Sequence, residues 1–195
     1  MAAKKRTRLS PHDRLMHLLD CATIIILERG LSSFTIDALA EEAGVSSSLI
    51  YKYFDTRLTL LQKLLHREFT RFFNEIVERI EDAETFEEVV TIVVSVNFDE
   101  DVKGNIMNIL RKQADVREVL DGTSSEAAAQ INKILIDSIV QQFNVSAERA
   151  RQMLVFGSGV SQQAAEDFGR RGGDGSAMVQ DAVRFIFAGM EAFRK

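Results

Sequence analysis

The run Ser46-Ser47-Ser48-Leu49-Ile50-Tyr51-Lys52-Tyr53 places hydroxyls, phenols and one ammonium along a stretch that the spacing predicts to be a short helix. Such a set suits recognition rather than bond-breaking. Hydroxyls at a helix N-terminus can donate to base edges or phosphates, alongside free backbone N–H groups. Lys52 supplies a positive charge, and Tyr51 and Tyr53 offer flat rings with polar tips. Ile50 and Phe54, four apart, point the other way as an inward face. The plainer reading is a helical hairpin whose serines and tyrosines face solvent.

Residues suited to catalysis are few. The three histidines are His12, His17 and His66, and none has metal-ligand spacing with another on the same face. His17 and Cys21 are four apart but lack further ligands, so Cys21 is expected to be buried on its helix. Gly172-Gly173-Asp174-Gly175 has no following Lys-Ser or Lys-Thr and follows no strand, so it is not a phosphate loop. Asp99-Glu100-Asp101 is expected to be a solvated turn rather than a metal site. Neither an enzyme, a metal nor a cofactor is expected.

The elements that must hold Ser46–Tyr53 lie just before it. Ile36, Leu39, Ala40 and Ala43 line one face of a first helix, with Ala40 small where a second helix crosses. Gly44 can take the left-handed conformation that ends a helix without a Cβ penalty. Val45 plugs the corner, and Ser46 caps the next helix. Thr35 to Phe54 therefore has the anatomy of a helix-turn-helix.

Over the whole chain, 195 residues with 46% hydrophobic and 27% charged residues are ample for a packed core and a solvated surface. The net charge of −5 argues against a nucleic-acid partner until its distribution is considered. Residues 1–60 hold eight Lys or Arg against seven Asp or Glu, a net of +1, which leaves −6 for the remainder. Lys4, Lys5, Arg6 and Arg8 form a basic arm without an acidic neighbour, serving either DNA or solubility. The longest early apolar run, Ala22–Leu27, is far short of the roughly 20 residues of a membrane span. No secretory signal is evident, and the single Cys21 cannot form an internal disulfide. A cytoplasmic protein with no membrane partner is expected.

Helical punctuation continues along the chain. Ser10-Pro11-His12-Asp13 combines a cap, a proline at the first helical position and an acid three after the cap, and an apolar stripe from Leu15 to Ile26 follows, ending at Gly30. Thr56 caps a long helix with Leu61, Leu65, Phe69, Phe72, Ile76 and Ile80. Thr85, Asp115 and Thr123, each with Glu three residues on, are capping-box patterns. Residues 89–96 are rich in β-branched side chains, but no second strand-like run exists to pair with them, so they are expected as a buried helix. A stripe from Ile131 to Ile139 ends near Asn144, and Ser146 caps a helix to about Phe168. Gly169 to Gly175 is expected as a loop before a last helix from Ser176 to about Phe193. The expected fold is all-α, with nine or ten helices and no sheet.

The run Phe34-Thr35, Leu39 to Ser46, Ile50-Tyr51-Lys52-Tyr53-Phe54-Asp55-Thr56-Arg57 and Leu60 resembles the N-terminal signature of the tetracycline-repressor (TetR) family. The resemblance spans about residues 12–65. It implies a three-helix DNA-binding head (residues 1–55), and a larger helical effector-binding and dimerisation domain (residues 56–195). It also implies a homodimer on a roughly palindromic double-stranded DNA operator, most simply a repressor released by a small-molecule effector. An activator, or a helical protein-interaction module that no longer binds DNA, are the alternatives.

Carried over by motif position, the resemblance implies phosphate contacts from Thr35 and Ser46, and base-edge contacts from Ser47, Ser48, Leu49 and Tyr51. Lys52 and Tyr53 would hold the DNA backbone. Arg57 stands where the family usually has a lysine, again toward phosphate. Three positions depart from the family's usual residues: Ser47 for Lys or Arg, Ser48 for Gly, Ala or Pro, and Leu49 for a small polar residue. Leu49 cannot hydrogen-bond a base, which predicts an apolar contact such as a thymine methyl.

The effector region is less marked. Asn97, Ser138 and Gln163 are polar groups on otherwise apolar faces, where a ligand, a carbonyl or a water would satisfy them. Phe98, Met107, Met153 and Phe156 could line an apolar pocket or pack a core. The family analogy assigns dimerisation to the last two long helices. Gln152, Phe156, Gly159, Val160 and Gln163 would form one stripe, and Val183, Ile186, Phe187, Met190 and Phe193 the other.

Overall fold

The computed structural model describes residues 9–102, 106–121 and 126–194. The basic arm Lys4–Arg8 and the Thr123 cap lie outside the described residues. Among the described residues there are ten α-helices, one 3-10 turn and no strand. The chain divides into two compact units: Met1–Arg67 with Ile106–Leu120, and Glu68–Asn105 with Asp121–Lys195. The boundary expected after residue 55 falls inside the first unit.

The first unit begins with α1 (Pro11–Arg29), capped by Ser10, whose hydroxyl accepts from the Asp13 N–H at 3.0 Å. Leu18, Leu19, Ala22, Ile25 and Ile26 are buried along it as the stripe requires. A 3-10 turn (Leu31–Ser33) leads to α2 (Ile36–Ala43) and α3 (Ser47–Ile50). Helix α4 (Arg57–Ile80) contributes its residues through Arg67 here. The Arg67 guanidinium donates to the Asp20 carboxylate at 2.8 Å and to the Thr23 hydroxyl at 3.1 Å, tying α4 to α1. Helices α6 (Ile106–Arg111) and α7 (Ala114–Asp121) complete the unit. Because α7 starts at Ala114, Asp115 sits within its first turn instead of capping it.

The second unit holds the rest of α4 with α5 (Phe86–Val102), α8 (Glu126–Phe143), α9 (Ala147–Arg171) and α10 (Gly175–Glu191). The β-branched run is a helix, as expected, with Val90, Val94, Val96 and Phe98 buried. The Thr85–Glu88 capping box opens it: the Glu88 N–H donates to Thr85 Oγ1 at 3.2 Å and the Thr85 N–H to Glu88 Oε2 at 3.0 Å. The Glu84 N–H, which also donates to Glu88 Oε2 at 2.7 Å, and then that of Thr85 hold the Glu88 carboxyl below its ordinary range. Thr91 and Ser95 send their hydroxyls back to the carbonyls four residues earlier, at 2.8 Å each, so the helix satisfies its own polar side chains.

Three expectations are corrected here. Asp99, Glu100 and Asp101 do not form a turn: α5 runs through them, and Asp99 pairs with Arg79 at 2.9 Å. The glycine loop is shorter than expected, because α9 continues through Gly169, Arg170 and Arg171. Asp167 accepts from both arginines, at 3.1 and 2.9 Å, and Gly172 closes the helix with its N–H on the Phe168 carbonyl. Gln163 is exposed on α9, not directed inward.

The α10 stripe is also corrected. Val183, Ile186 and Met190 are buried in the core of their own unit, together with Phe98, Ile139, Phe143 and Met153. Phe187 packs edge-on to Phe86 and tilted against Phe143. The outward apolar group on α10 is instead Phe185, 67% exposed. A helix packed on more than one neighbour carries more apolar positions than one stripe, and periodicity alone does not say which of them face out.

Candidate nucleic-acid interface

The interface is built on a corner. Gly44 has φ 63°, and its neighbour Val45 donates its N–H to the Ala40 carbonyl at 3.0 Å. This ends α2 and turns the chain into α3 within three residues. Ser46 is extended and caps α3, accepting the Leu49 N–H at 3.3 Å. The helical winding of α3 closes after Ile50, but tight turns carry it on, with the Tyr53 and Phe54 N–H groups both on the Ile50 carbonyl. Ile50 and Phe54 are fully buried, as the sequence requires.

That anchoring leaves one face outward. Ser46, Ser48, Tyr51 and Lys52 are exposed, and Ser47, Leu49 and Tyr53 are half-buried. Thr35 caps α2 through the Ala38 N–H at 3.0 Å, which leaves its own hydroxyl proton to give. Ser46 and Ser48 share a hydrogen bond of 2.9 Å in which either can donate. Ser47 donates to the Asp37 carboxylate at 2.8 Å.

Arg57 lies otherwise than a simple phosphate contact. Its Nε donates to the Phe34 carbonyl at 2.9 Å, and its Nη2 to that of Leu31 at 3.1 Å. Two residues escaped sequence reasoning. Asp37 was visible only as an acid in the first turn of α2. Lys63 donates to the Tyr53 carbonyl at 3.3 Å and lies over the Phe54 ring, steadying the end of the turn.

The residues expected to meet an effector are scattered. Asn97 donates from Nδ2 to the Val93 carbonyl at 3.2 Å and to Ser161 Oγ at 2.9 Å, so both hydrogens of its amide are engaged within the protein. Phe98 and Met153 belong to the core of the second unit, and Ser138 is half-buried on α8. Phe156 is 59% exposed on α9. Met107 belongs to the first unit. A cavity of about 40 Å³ lies among Val90, Val94, Leu135, Ile139, Ser161 and Ile186. Ligand pockets run to roughly 300 Å³ or more, so this seam has to open to admit one. Among the described residues there is no cluster of potential metal ligands, and no helix is long and apolar enough to cross a membrane.

Residues 18–64 match the model for bacterial regulatory proteins of the tetR family. A fatty acid metabolism regulator protein of Bacillus subtilis is 25% identical over 158 residues, covering 74% of this chain and 79% of its own. An uncharacterised helix-turn-helix transcriptional regulator of Mycobacterium tuberculosis is 36% identical over 78 residues, 40% of this chain and 37% of its own. Among solved structures, the fatty acid degradation regulator FadR from Bacillus halodurans has a TM-score of 0.71 at 19% identity, covering 94% of this chain and 98% of that one. FadR from Bacillus subtilis, solved with stearoyl-CoA, has a TM-score of 0.69 at 21% identity, covering 89% and 98%.

The corner, its hydroxyl-bearing outer face and these likenesses define a helix-turn-helix, DNA-binding transcriptional regulator. Within that class, residues 18–64 form a DNA-binding head of the tetR type, and the fold of the chain is that of the solved regulators it resembles.

Proposed function

We propose that this protein is a homodimeric repressor that binds a roughly palindromic operator with α3 in the major groove and leaves it when a small molecule binds the second unit. The observation that carries the reading is the split of α3 and its following turn. Ile50 and Phe54 are buried, while Ser46, Ser48, Tyr51 and Lys52 face solvent. A recognition helix needs that division, with its first residues at the base edges. Thr35 and Ser46 contact phosphates, Ser47, Ser48, Leu49 and Tyr51 face bases, and Lys52 and Tyr53 hold the backbone. Arg57 acts from behind, by fixing the chain ahead of Thr35. The protein acts in the cytoplasm by binding rather than catalysis.

Dimerisation is assigned to α9 and α10, with Phe185 replacing the inward stripe of α10. Val155, Phe156 and Phe185 are 68, 59 and 67% exposed along an open groove of about 890 Å³. Gly159 lines it, and a Cβ there would touch nothing in this chain, so a close approach from a second copy gives the glycine a use.

The effector is assigned to the α5–α8–α9–α10 seam. Its aliphatic lining, with the likeness to a fatty acid metabolism regulator, favours a long-chain acyl compound. Genomic binding-site selection with the purified protein tests the first half of the reading. A steep fall of affinity with salt and a dyad-symmetric site are expected. Release of the selected duplex by palmitoyl-CoA or stearoyl-CoA tests the second, and a complex indifferent to both removes the acyl assignment. Residues 35–56 carry one lysine against four acids, which favours the interaction module if no genomic fragment binds.

A further inference from the structure

Three adjacent serines look equivalent in the sequence, and their hydrogen bonds make them unequal. Ser46 and Ser48 share a bond in which either can donate, so one hydroxyl proton of that pair stays available. Ser47 is different. Its Oγ lies 2.8 Å from Oδ1 of Asp37, and a carboxylate accepts without donating, so Ser47 gives Asp37 its single proton. The bond crosses the helix-turn-helix corner, from the first residue of α3 to the first turn of α2.

What remains on Ser47 Oγ is lone pairs. An acceptor has nothing to offer a phosphate oxygen, guanine N7 or O6, or thymine O4, all of which are acceptors themselves. In the major groove the hydrogens on base edges belong to the exocyclic amino groups, N6 of adenine and N4 of cytosine. The exposed Asp37 reinforces the choice, since its second oxygen is also an acceptor and its charge is a poor neighbour for phosphate.

We propose that the Ser47–Asp37 pair is a specificity device that reads an exocyclic amino group, on adenine or cytosine, at one position of each half-site and rejects guanine and thymine there. Ser47 is the contact, and Asp37 sets the direction of its hydrogen bond. The inference rests on the placement of α3 in the major groove given under Proposed function.

The experiment is selection from a random duplex library with the full-length protein, Ser47→Ala and Asp37→Ala, followed by affinities on the selected duplex and its single-base-pair replacements. Both side chains lie outside the core and the Ser46 cap stays in place, and thermal melts confirm that the variants fold. The wild type is expected to select adenine or cytosine at one position, strand fixed by half-site orientation. Guanine or thymine there should weaken binding about five- to tenfold, one hydrogen bond plus an unpaired partner. Ser47→Ala should flatten that preference alone. Asp37→Ala should free the hydroxyl to donate and so admit guanine or thymine at the same position. The selected base itself separates adenine from cytosine. A selected site that both variants share unchanged, or variants that shift a position held by guanine or thymine, overturns the inference and leaves DNA binding standing. A wild type with no salt-sensitive duplex binding overturns Proposed function, and this inference with it.

Discussion

Arg57 donates from Nε to the carbonyl oxygen of Phe34 at 2.9 Å, with its guanidinium 5.5 Å from the centre of the Phe34 ring. With the second bond, to Leu31, one side chain at the start of α4 closes the link between α1 and α2, directly ahead of the Thr35 cap. The planar fork that spans two carbonyls is a property of arginine that a lysine point charge lacks. Arg57→Met and Arg57→Lys should each lower the stability of the head by about 1 kcal/mol, since the bonds are partly solvated. Operator affinity should fall with an unchanged slope of log affinity against log salt. A slope flatter by about 0.9 would make Arg57 a phosphate contact instead.

Leu49 is half-buried beside the exposed serines and has no hydrogen bond to offer a base. Leu49→Ala should weaken discrimination for thymine at one position by about fourfold, a methylene's worth of burial. Binding-site selection with the variant checks this. An unchanged consensus sinks the apolar contact.

Phe185 and Phe156 should be the anchors of the dimer. Phe185→Asp and Phe156→Asp should each convert a two-chain particle to a single chain at micromolar concentration by light scattering, and weaken operator binding. Helical content should be kept, because both rings are exposed and the core beneath them is intact. A wild-type protein that is already a single chain would refute the assignment.

Asn97 and Ser161 hold each other at 2.9 Å, with Ser161 only 2% exposed. Removing either partner strands a polar group. Ser161→Ala and Asn97→Ala should cost about 1–3 kcal/mol each, which lowers Tm by several degrees. Were Asn97 chiefly an effector contact, its replacement would leave Tm in place and abolish only the response to ligand.

Cys21 is buried in α1, and that burial, with the nearby Glu42 and Asp20 carboxylates, pushes its thiol up. A thiol reagent should label the folded protein slowly at pH 8 and label it at once in denaturant. The unfolded thiol ionises first, so the contribution is complete below the ordinary thiol range and declines as pH rises through it toward the folded value. Fast labelling of native protein would contradict this placement.

Much of the head was legible because its signals are local. Ser10, Thr35, Ser46 and Thr56 cap where their types demand, and Gly44 turns where only a residue without a Cβ turns freely. The α5 segment was legible by elimination, since its β-branched run had no strand to pair with. What stayed hidden depends on partners distant in the chain. No pattern in the sequence says that Ser47 gives its proton to Asp37, or that Arg57 turns back onto two carbonyls. The α10 stripe misled because apolar spacing marks an inward face without naming its neighbour. The end of α9 was missed because two ion pairs to Asp167 keep a glycine-bearing segment helical.

The surface from Thr35 to Thr56 carries a single lysine. A face so sparing of cations adds little of its own to the grip on arbitrary chromosomal DNA, which attraction to phosphate mostly supplies. What the face adds is discrimination among sites, the quantity that decides occupancy against a vast excess of unrelated sequence. The hydroxyl-rich face is thus suited to telling one site from another more than to holding DNA as such.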